Sequence, residues 1–322
     1  MLKKMKFYCF AAIFLVFLVT TICFVPLGEV FADNEKFEVT TQKQDNKTKY
    51  IIKNAFNYKT NETGTELKTS QNNLLKNVLN FSDSFIETMT EEDINLYMNS
   101  SYMEVTREEY LYLEENNNIE IASASDSKTN RTEYKKLYVT NILTKISKNA
   151  NGNNRYVASI LVEWKNPPVN RFKDLMYIVC GNGSTIGDSQ YSKCYMSYYQ
   201  TIYVSGVGSI GPSLVKYENG DSSNKVVPYN TITNGESWRL DVPFTSSYNT
   251  SISSFNFFMQ SEVVFSRSQS VASVYYGYFH QKIAGSIGVT VSSSGASIAF
   301  SPKYTMDPFT GNYYTLEYGE IV

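Results

Sequence analysis

Histidine and cysteine are nearly missing from this chain of 322 residues, which has one histidine, His280, and four cysteines, two of them within the first 23 positions. One histidine and two remaining cysteines cannot assemble the usual His/Cys set around zinc. A Ser-His-Asp relay would have to run through His280, and no Gly-x-Ser-x-Gly elbow leads into a helix to supply the nucleophile. His280 therefore reads as an ordinary strand residue. A surplus of either charge is missing too: 29 basic residues face 31 acidic ones. With no basic stripe, a nucleic-acid partner has no electrostatic support. Neither a phosphate-cradling Gly-x-x-x-x-Gly-Lys loop nor a dinucleotide fingerprint occurs, so no cofactor is implied.

Long apolar runs are confined to the beginning. Lys3, Lys4 and Lys6 precede an apolar stretch from Phe7 to Val25, broken by Pro26-Leu27-Gly28 and followed by Val30-Phe31-Ala32. This is the pattern of a secretory signal peptide cleaved after Ala32. The alternative is an N-terminal membrane anchor, because a run of roughly 19 apolar residues just reaches across a bilayer. Cleavage would remove Cys9 and Cys23 and leave a secreted chain. The abundance of Asn, Lys, Ile, Tyr and Phe matches an AT-rich genome, which with the signal suggests a low-GC Gram-positive source.

Residues 33–72 are rich in Lys, Asn and Thr without sustained periodicity, and read as a mobile polar leader with at most one short strand near Tyr50-Ile51-Ile52. Leu74, Val78, Phe81, Phe85 and Met89 recur at helical spacing, so residues 73–116 are expected to form short amphipathic helices packed on the rest of the protein. Thr90 and Asp93 have the spacing of a capping box. The acidic run Glu108-Glu109 with Glu114-Glu115 reads as a solvated face. Residues 117–132 are small and polar, a linker. Beyond it the period becomes two: Tyr156, Ala158, Ile160, Val162 and Trp164 alternate with the residues between them. Further strands are expected at 135–147, 173–180, 194–205, 212–218, 224–229, 237–243, 254–266, 272–283, 286–292, 295–303 and 312–318. Turn signals such as Asn151-Gly152, Asn219-Gly220-Asp221 and Asn234-Gly235 separate many of them. Many short strands without intervening helices mean antiparallel sheets. The expected fold is mainly β: an antiparallel β-sandwich over 133–322, preceded by a small α-helical N-terminal region.

Cys180 and Cys194 flank the glycine-studded CGNGSTIGDSQYSKC. In an exported chain such a pair is expected to form a disulfide. Closing a loop of about 15 residues, it would contribute roughly 3 kcal/mol in the chain-entropy model. A reactive dithiol is the alternative, disfavoured because no Cys-x-x-Cys motif or helix start is present to lower a thiol pKa. Glu218-Asn219-Gly220-Asp221 has oxygen atoms suited to calcium but not the full loop pattern, and reads as a turn.

In EWKNPPVNRFKDLMYIV, residues 163–179, a strand ends at Trp164, two prolines stop it, and Arg171 and Asp174 flank the next apolar run. Trp164, Pro168, Arg171 and Asp174 read as a structural corner, with the Arg171 fork of donors available to Asp174 or to the bend. The Trp-x-x-x-Pro-x-x-Arg-x-x-Asp-x-x-x-Ile arrangement and the helical FSDSFIETMTEEDI at 81–94 resemble uncharacterised exported β-rich proteins of low-GC Gram-positive bacteria. The resemblance covers about a third of the chain and rests on these short motifs; it implies an extracellular β-rich protein and brings no catalytic residues.

Three functions follow as expectations. The leading one is a secreted, non-enzymatic module that binds at the cell surface or in the surroundings, with cell-wall glycan or a protein as partner. The second is a pore-forming or antagonistic toxin-like protein. It draws on the stretch Phe244–Ser301, nearly devoid of charge and alternating Ser or Thr with apolar residues, as membrane strands do. A membrane is a partner only if that stretch inserts. The third is a glycan hydrolase using two carboxylates, whose separation is spatial and leaves no sequence mark. Glu163, Asp174, Glu236 and Asp241, in or beside strands, are its candidates, each expected to be exposed or ion-paired.

Overall fold

A computed structural model describes residues 38–44, 47–53, 71–113, 118–121, 134–146, 152–165, 173–181, 184–186, 189–229, 234–242, 249–266, 271–281, 289–290, 299–300 and 306–317. The expected signal peptide, residues 1–32, lies outside them. In chain order the strands begin with β1 (Glu38–Gln44), β2 (Lys47–Lys53), β3 (Tyr102–Leu113), β4 (Asn118–Ile121), β5 (Tyr134–Ile146) and β6 (Asn154–Trp164). Next come β7 (Lys173–Cys180), β8 (Ser184–Ile186), β9 (Lys193–Val204), β10 (Gly208–Glu218), β11 (Val226–Pro228) and β12 (Gly235–Asp241). The last are β13 (Thr250–Phe265), β14 (Val271–Gln281), β15 (Val289–Thr290), β16 (Ala299–Phe300) and β17 (Met306–Glu317). Between β2 and β3 lie a π-helical turn (Asn73–Val78) and two short helices, α1 (Asp83–Ile86) and α2 (Glu91–Met98).

The strands form two antiparallel sheets, the sandwich read from the sequence. The larger runs β1-β2-β3-β5-β6-β13-β9-β10, with β4 added on β3 and β8 on β13. The smaller runs β11-β12-β7-β14-β17, and β15 pairs with β16 alone. The chain changes layer after β6, β7, β10, β12 and β13, so each sheet is stitched from distant segments.

Strand periodicity places the core. Even-numbered β6 side chains from Tyr156 to Trp164 join Met176 and Ile178 of β7, Phe255, Phe257 and Met259 of β13, and Tyr276 and Tyr278 of β14 between the sheets. The odd-numbered Val157 and Leu161 are buried as well. Their face is covered by the helical segment, whose Leu74, Leu75, Leu79, Phe81, Phe85, Tyr97 and Met98 pack on Val105, Ile142, Leu161, Tyr195 and Phe258. Phe85 is the centre of this third layer, with its ring 5.4 Å from Phe258 and 5.0 Å from Phe81. Fully burying such a side chain contributes roughly 1.5–3 kcal/mol. The Thr90–Asp93 capping box is present, and the same aspartate pairs with Lys193 at 2.7 Å, tying α2 to β9. The helices are thus a layer of the sandwich.

Three boundaries differ from the sequence reading. The leader assigned to 33–72 supplies β1 and β2, which form a hairpin whose second strand pairs with β3. The region assigned to helices, 73–116, contains the long strand β3, and the linker 117–132 opens with β4. Lys, Glu and Thr make up 8 of the 14 residues of β1 and β2, and Glu104, Arg107, Glu108 and Glu109 interrupt β3, so the apolar alternation that marks a half-buried strand is broken there, and sheet pairing overrides composition. In β3 even the charges are internal. Arg107 is bonded to Glu163 at 3.1 Å and to Thr140 at 3.1 Å, and its guanidinium lies 4.4 Å from the Tyr138 ring centroid. Glu108, expected on a solvated face, is buried and accepts a hydrogen bond from the Tyr110 hydroxyl.

Candidate functional site

Two of the four corner residues converge between the sheets. Trp164 ends β6 in the larger sheet and Asp174 stands near the start of β7 in the smaller one, so the stretch joining them passes between layers. The Trp164 indole N–H donates to the Tyr278 hydroxyl at 2.9 Å, and that hydroxyl donates to Asp174 Oδ2 at 2.5 Å. Asp174 Oδ1 lies 2.9 Å from His280 Nδ1, and the His280 ring sits 5.4 Å from the indole. Even-numbered residues of β14 face the core, which brings Tyr278 and His280 to the same carboxylate. All four side chains are buried. A buried polar group is stable when its bonds are satisfied; the Trp164–Tyr278 bond links the two sheets, and the Asp174 bonds to Tyr278 and His280 lie within the smaller one. Pro168 and Arg171 lie outside the described residues.

The expected disulfide is absent. Cys180 and Cys194 are separate buried thiols. Cys180 closes β7 in the smaller sheet, while Cys194 opens β9 in the larger one and pairs with Met259. The intervening chain crosses layers rather than forming a hairpin, so the two sulfurs enter the core from opposite sheets. Packed sheets stand about 10 Å apart, beyond the ~4.4–6.8 Å between Cα atoms that a disulfide spans unless the layers pinch. Burial pushes the Cys194 thiol well above its ordinary value, and the Glu236 carboxylate adds to the shift.

The carboxylates are engaged in different places. Glu163 accepts from Arg107 and, at 3.2 Å, from the Ser82 N–H on the helical side of the larger sheet. Glu236 accepts from the Ser192 and Ser261 hydroxyls at 2.8 and 2.7 Å. Asp241 pairs with Arg239 at 3.1 Å. The two buried ones, Glu163 and Asp174, point to opposite faces of the larger sheet's core strand β6, one toward the helices and one toward the inter-sheet core. Asp221 accepts from the Glu218 and Ser223 N–H groups at 3.0 and 2.9 Å and from the Ser223 hydroxyl, which lowers its pKa; these bonds make the turn read from the sequence. Among the described residues no group of three or more His, Cys, Asp or Glu is placed to hold a metal.

The surface is distinctive at one place that the sequence reading did not single out. The exposed large hydrophobic side chains among the described residues all lie at the β9–β10 hairpin end: Ile202, Tyr203, Val204, Val207 and Ile210, with Val207 74 % and Ile210 55 % exposed. Even-numbered β9 residues face the core, so Ile202 and Val204 continue the buried stripe Cys194-Met196-Tyr198 past its end. Ile210 stands opposite Ile202, and Tyr203 projects from the other face opposite Ser209. At the apex the Val207 N–H donates to the Val204 carbonyl at 3.1 Å, and Gly206 and Gly208 take φ values of 79° and 104°, the left-handed region that glycine enters without steric cost. β13 supports the hairpin only to its base, where Tyr203 N–H donates to the Asn249 carbonyl at 2.6 Å.

Charge is excluded from this end. No residue from Cys194 to Val215 is charged, nor any from Val242 to Ser261 on the adjoining strand. The flanking cations are held at the root, Lys193 by Asp93 and Lys216 by Glu218 at 2.5 Å and the Thr88 carbonyl at 2.9 Å. The signal available in the sequence was this uncharged run with an Ile-Tyr-Val triplet beside Ser-Gly.

Phe244–Ser301, the stretch that suggested membrane strands, is distributed differently. Its β13 is a central strand of the larger sheet, between β6 and β9, and its β14 is central in the smaller one. β13 and β14 are therefore not partners in a hairpin, whereas β15 and β16 pair with each other, Val289 with Phe300 and Thr290 with Ala299. No helix among the described residues is long and apolar enough to cross a membrane.

No protein-family model matches the chain, and no curated protein sequence matches it. Solved structures similar in outline include a pore-forming protein, with 9 % identity over 67 % of this chain and 93 % of that one at a TM-score of 0.29. Others are the pilus backbone RrgB from Streptococcus pneumoniae (6 % identity, 51 % and 41 % covered, TM-score 0.28) and the membrane-inserted form of the Clostridium perfringens NetB toxin (9 %, 67 % and 98 %, 0.25). The chain spans under half the length of the pilus protein. Similarity at this level carries no argument about function.

Proposed function

We propose that this chain is a secreted, non-enzymatic binding protein and that the β9–β10 end is the surface through which it binds. The observation that carries the reading is the gathering of exposed apolar side chains on one uncharged hairpin end, while the acids and the histidine are built into ion pairs and hydrogen-bonded contacts of the fold. A monomeric protein seldom leaves a contiguous apolar patch in water without a partner for it. Export rests on the N-terminal pattern through Ala32.

Retention on surfaces tests this. The full chain and its Val207→Ser/Ile210→Ser variant would be compared on purified Gram-positive cell wall, on erythrocytes and on phosphatidylcholine vesicles. The reading expects retention on at least one surface, falling on the order of tenfold in the variant. Equal behaviour of both proteins on all three would overturn it.

A further inference from the structure

We infer that the β9–β10 end docks on the interfacial zone of a phospholipid bilayer of no net charge, dipping its tip below the headgroups without spanning the membrane. The inference rests on the proposed function and names its partner. Three features of the hairpin end select this occupant.

The first is the distribution of apolar groups around the ribbon. Ile202, Val204 and Ile210 share one face, Tyr203 occupies the other, and Val207 follows the apex. A protein partner packs against one face of a strand pair and leaves the other to water. Here Ile202, Val204 and Ile210 project from one face, the Tyr203 ring from the other beside Ser209, and Val207 from the end, which suits a medium that surrounds the tip on all sides. Tyr203 adds a ring with an apolar body and a polar hydroxyl, the amphipathic form that settles at the membrane–water boundary.

The second is charge. Attraction to anionic lipid needs lysine or arginine near the surface. Between Cys194 and Val215 there is none, and Lys193 and Lys216 are already held by Asp93, Glu218 and Thr88. The surface that complements this end is therefore one without net charge, such as phosphatidylcholine. Nor does the tip carry a carboxylate that would oppose entry.

The third is length. Exposed apolar side chains begin at Ile202 on one strand and end at Ile210 on the other, with the turn between them. Past half-buried Thr201 the β9 strand has three exposed residues, and β10 has six before half-buried Leu214, so at about 3.3 Å per residue the two reach on the order of 10 and 20 Å. A spanning strand needs roughly 9–11 residues. The tip is thus deep enough for the headgroup zone and too short to cross. This separates the inference from insertion of Phe244–Ser301, whose described long strands lie in the two sheets.

Hydrogen exchange resolved by peptide reads the tip alone, independently of the apolar N-terminal segment of the full chain. The chain would be measured with and without phosphatidylcholine vesicles, beside vesicles containing phosphatidylglycerol, and with salt raised from about 0.1 M to about 0.5 M. Slowing of exchange at 201–211 on the order of tenfold with phosphatidylcholine, kept at high salt and lost in the Val207→Ser/Ile210→Ser variant, is the expected result. Unchanged exchange at the tip, or slowing that requires the anionic lipid and vanishes with salt, would overturn the inference. Release of a trapped dye at the concentration that gives protection, lost in the same variant, would overturn its non-spanning part. Tip-dependent retention on cell wall without vesicle protection leaves the proposed function standing and removes the bilayer as partner.

Discussion

Along β9, Cys194, Met196 and Tyr198 are sealed between two sheets, whereas Ile202 and Val204, on the same face of the same strand, stand in solvent. Root and tip are both antiparallel, paired to β10 on one side and, through Ile202, to β13 on the other, with a register shift in each pairing, between Ile210 and Ser213 and between Ser253 and Asn256. What changes is the opposite layer. The smaller sheet and the helical cover act on the root, and the ribbon outruns both. Apolar side chains at the root are therefore explained by folding, and those at the tip are not. The root is also where polarity is internal, in the Trp164–Tyr278–Asp174–His280 chain and the Arg107–Glu163 pair, while the tip has no charge at all.

The comparison can be broken by substitution. Asp174→Ala strips the carboxylate from the Tyr278 hydroxyl and the His280 ring in a buried site, and should destabilise the protein by about 2–5 kcal/mol, read as a lower urea midpoint. A change under about 1 kcal/mol would mean that the Asp174 bonds, which lie within the smaller sheet and orient Tyr278 beneath the Trp164 indole, do not stabilise this corner. Next in size is Gly277→Ala. Gly277 sits opposite Tyr177, and a Cβ there would overlap the Tyr177 ring, which lies over the glycine and stacks on Phe279 at 5.8 Å. A loss of about 1–3 kcal/mol is expected, and restoration by a second substitution, Tyr177→Val, would confirm that the ring is the obstacle.

Alkaline pH should act on the root alone. Burial, with Glu236, raises the Cys194 thiol above its ordinary 9.0, and burial raises the Tyr97, Tyr177 and Tyr195 hydroxyls above their ordinary 10.0. The folded protein thus keeps protons that the unfolded chain releases. This stabilisation is full below about pH 9 and is lost as pH rises through the raised values, so the urea midpoint should be level up to about pH 9 and fall from there toward pH 10.5 and beyond. The tip variant should fall in parallel; a different slope would tie the tip to the core. The smallest effect is on the tip itself. Val207→Ser/Ile210→Ser should move stability by less than about 0.5 kcal/mol, because no buried contact is removed.

How far the fold could be read follows the same division. Strands rich in apolar residues and bounded by turn signals were legible nearly to the residue: 173–180 is β7 as expected, and β5, β9 and β14 start or end within a residue or two of their expected bounds. Period two survives wherever one face is buried. It fails in β1 to β3, where Lys, Thr, Glu and Arg interrupt the apolar pattern, and in β4, which is only four residues long, and there the sequence suggested leader, helix and linker. Thr90 and Asp93 announced their cap because a cap is local. The cysteine pair misled because spacing along the chain says nothing about layer. Of the corner, Trp164 and Asp174 were legible as neighbours, but Tyr278 and His280, more than a hundred residues away, reach them only through sheet parity. The hairpin end was not singled out since Ile-Tyr-Val reads alike whether buried or exposed; only the extent of the second sheet decides.

Flotation of the wild-type chain and the Val207→Ser/Ile210→Ser variant with phosphatidylcholine vesicles, with thermal melting recorded on the same samples, tests most directly that the tip serves binding rather than folding. The account predicts equal melting and binding lost on the order of tenfold in the variant. A variant that floats like the wild type, or one that melts well below it, would contradict the account.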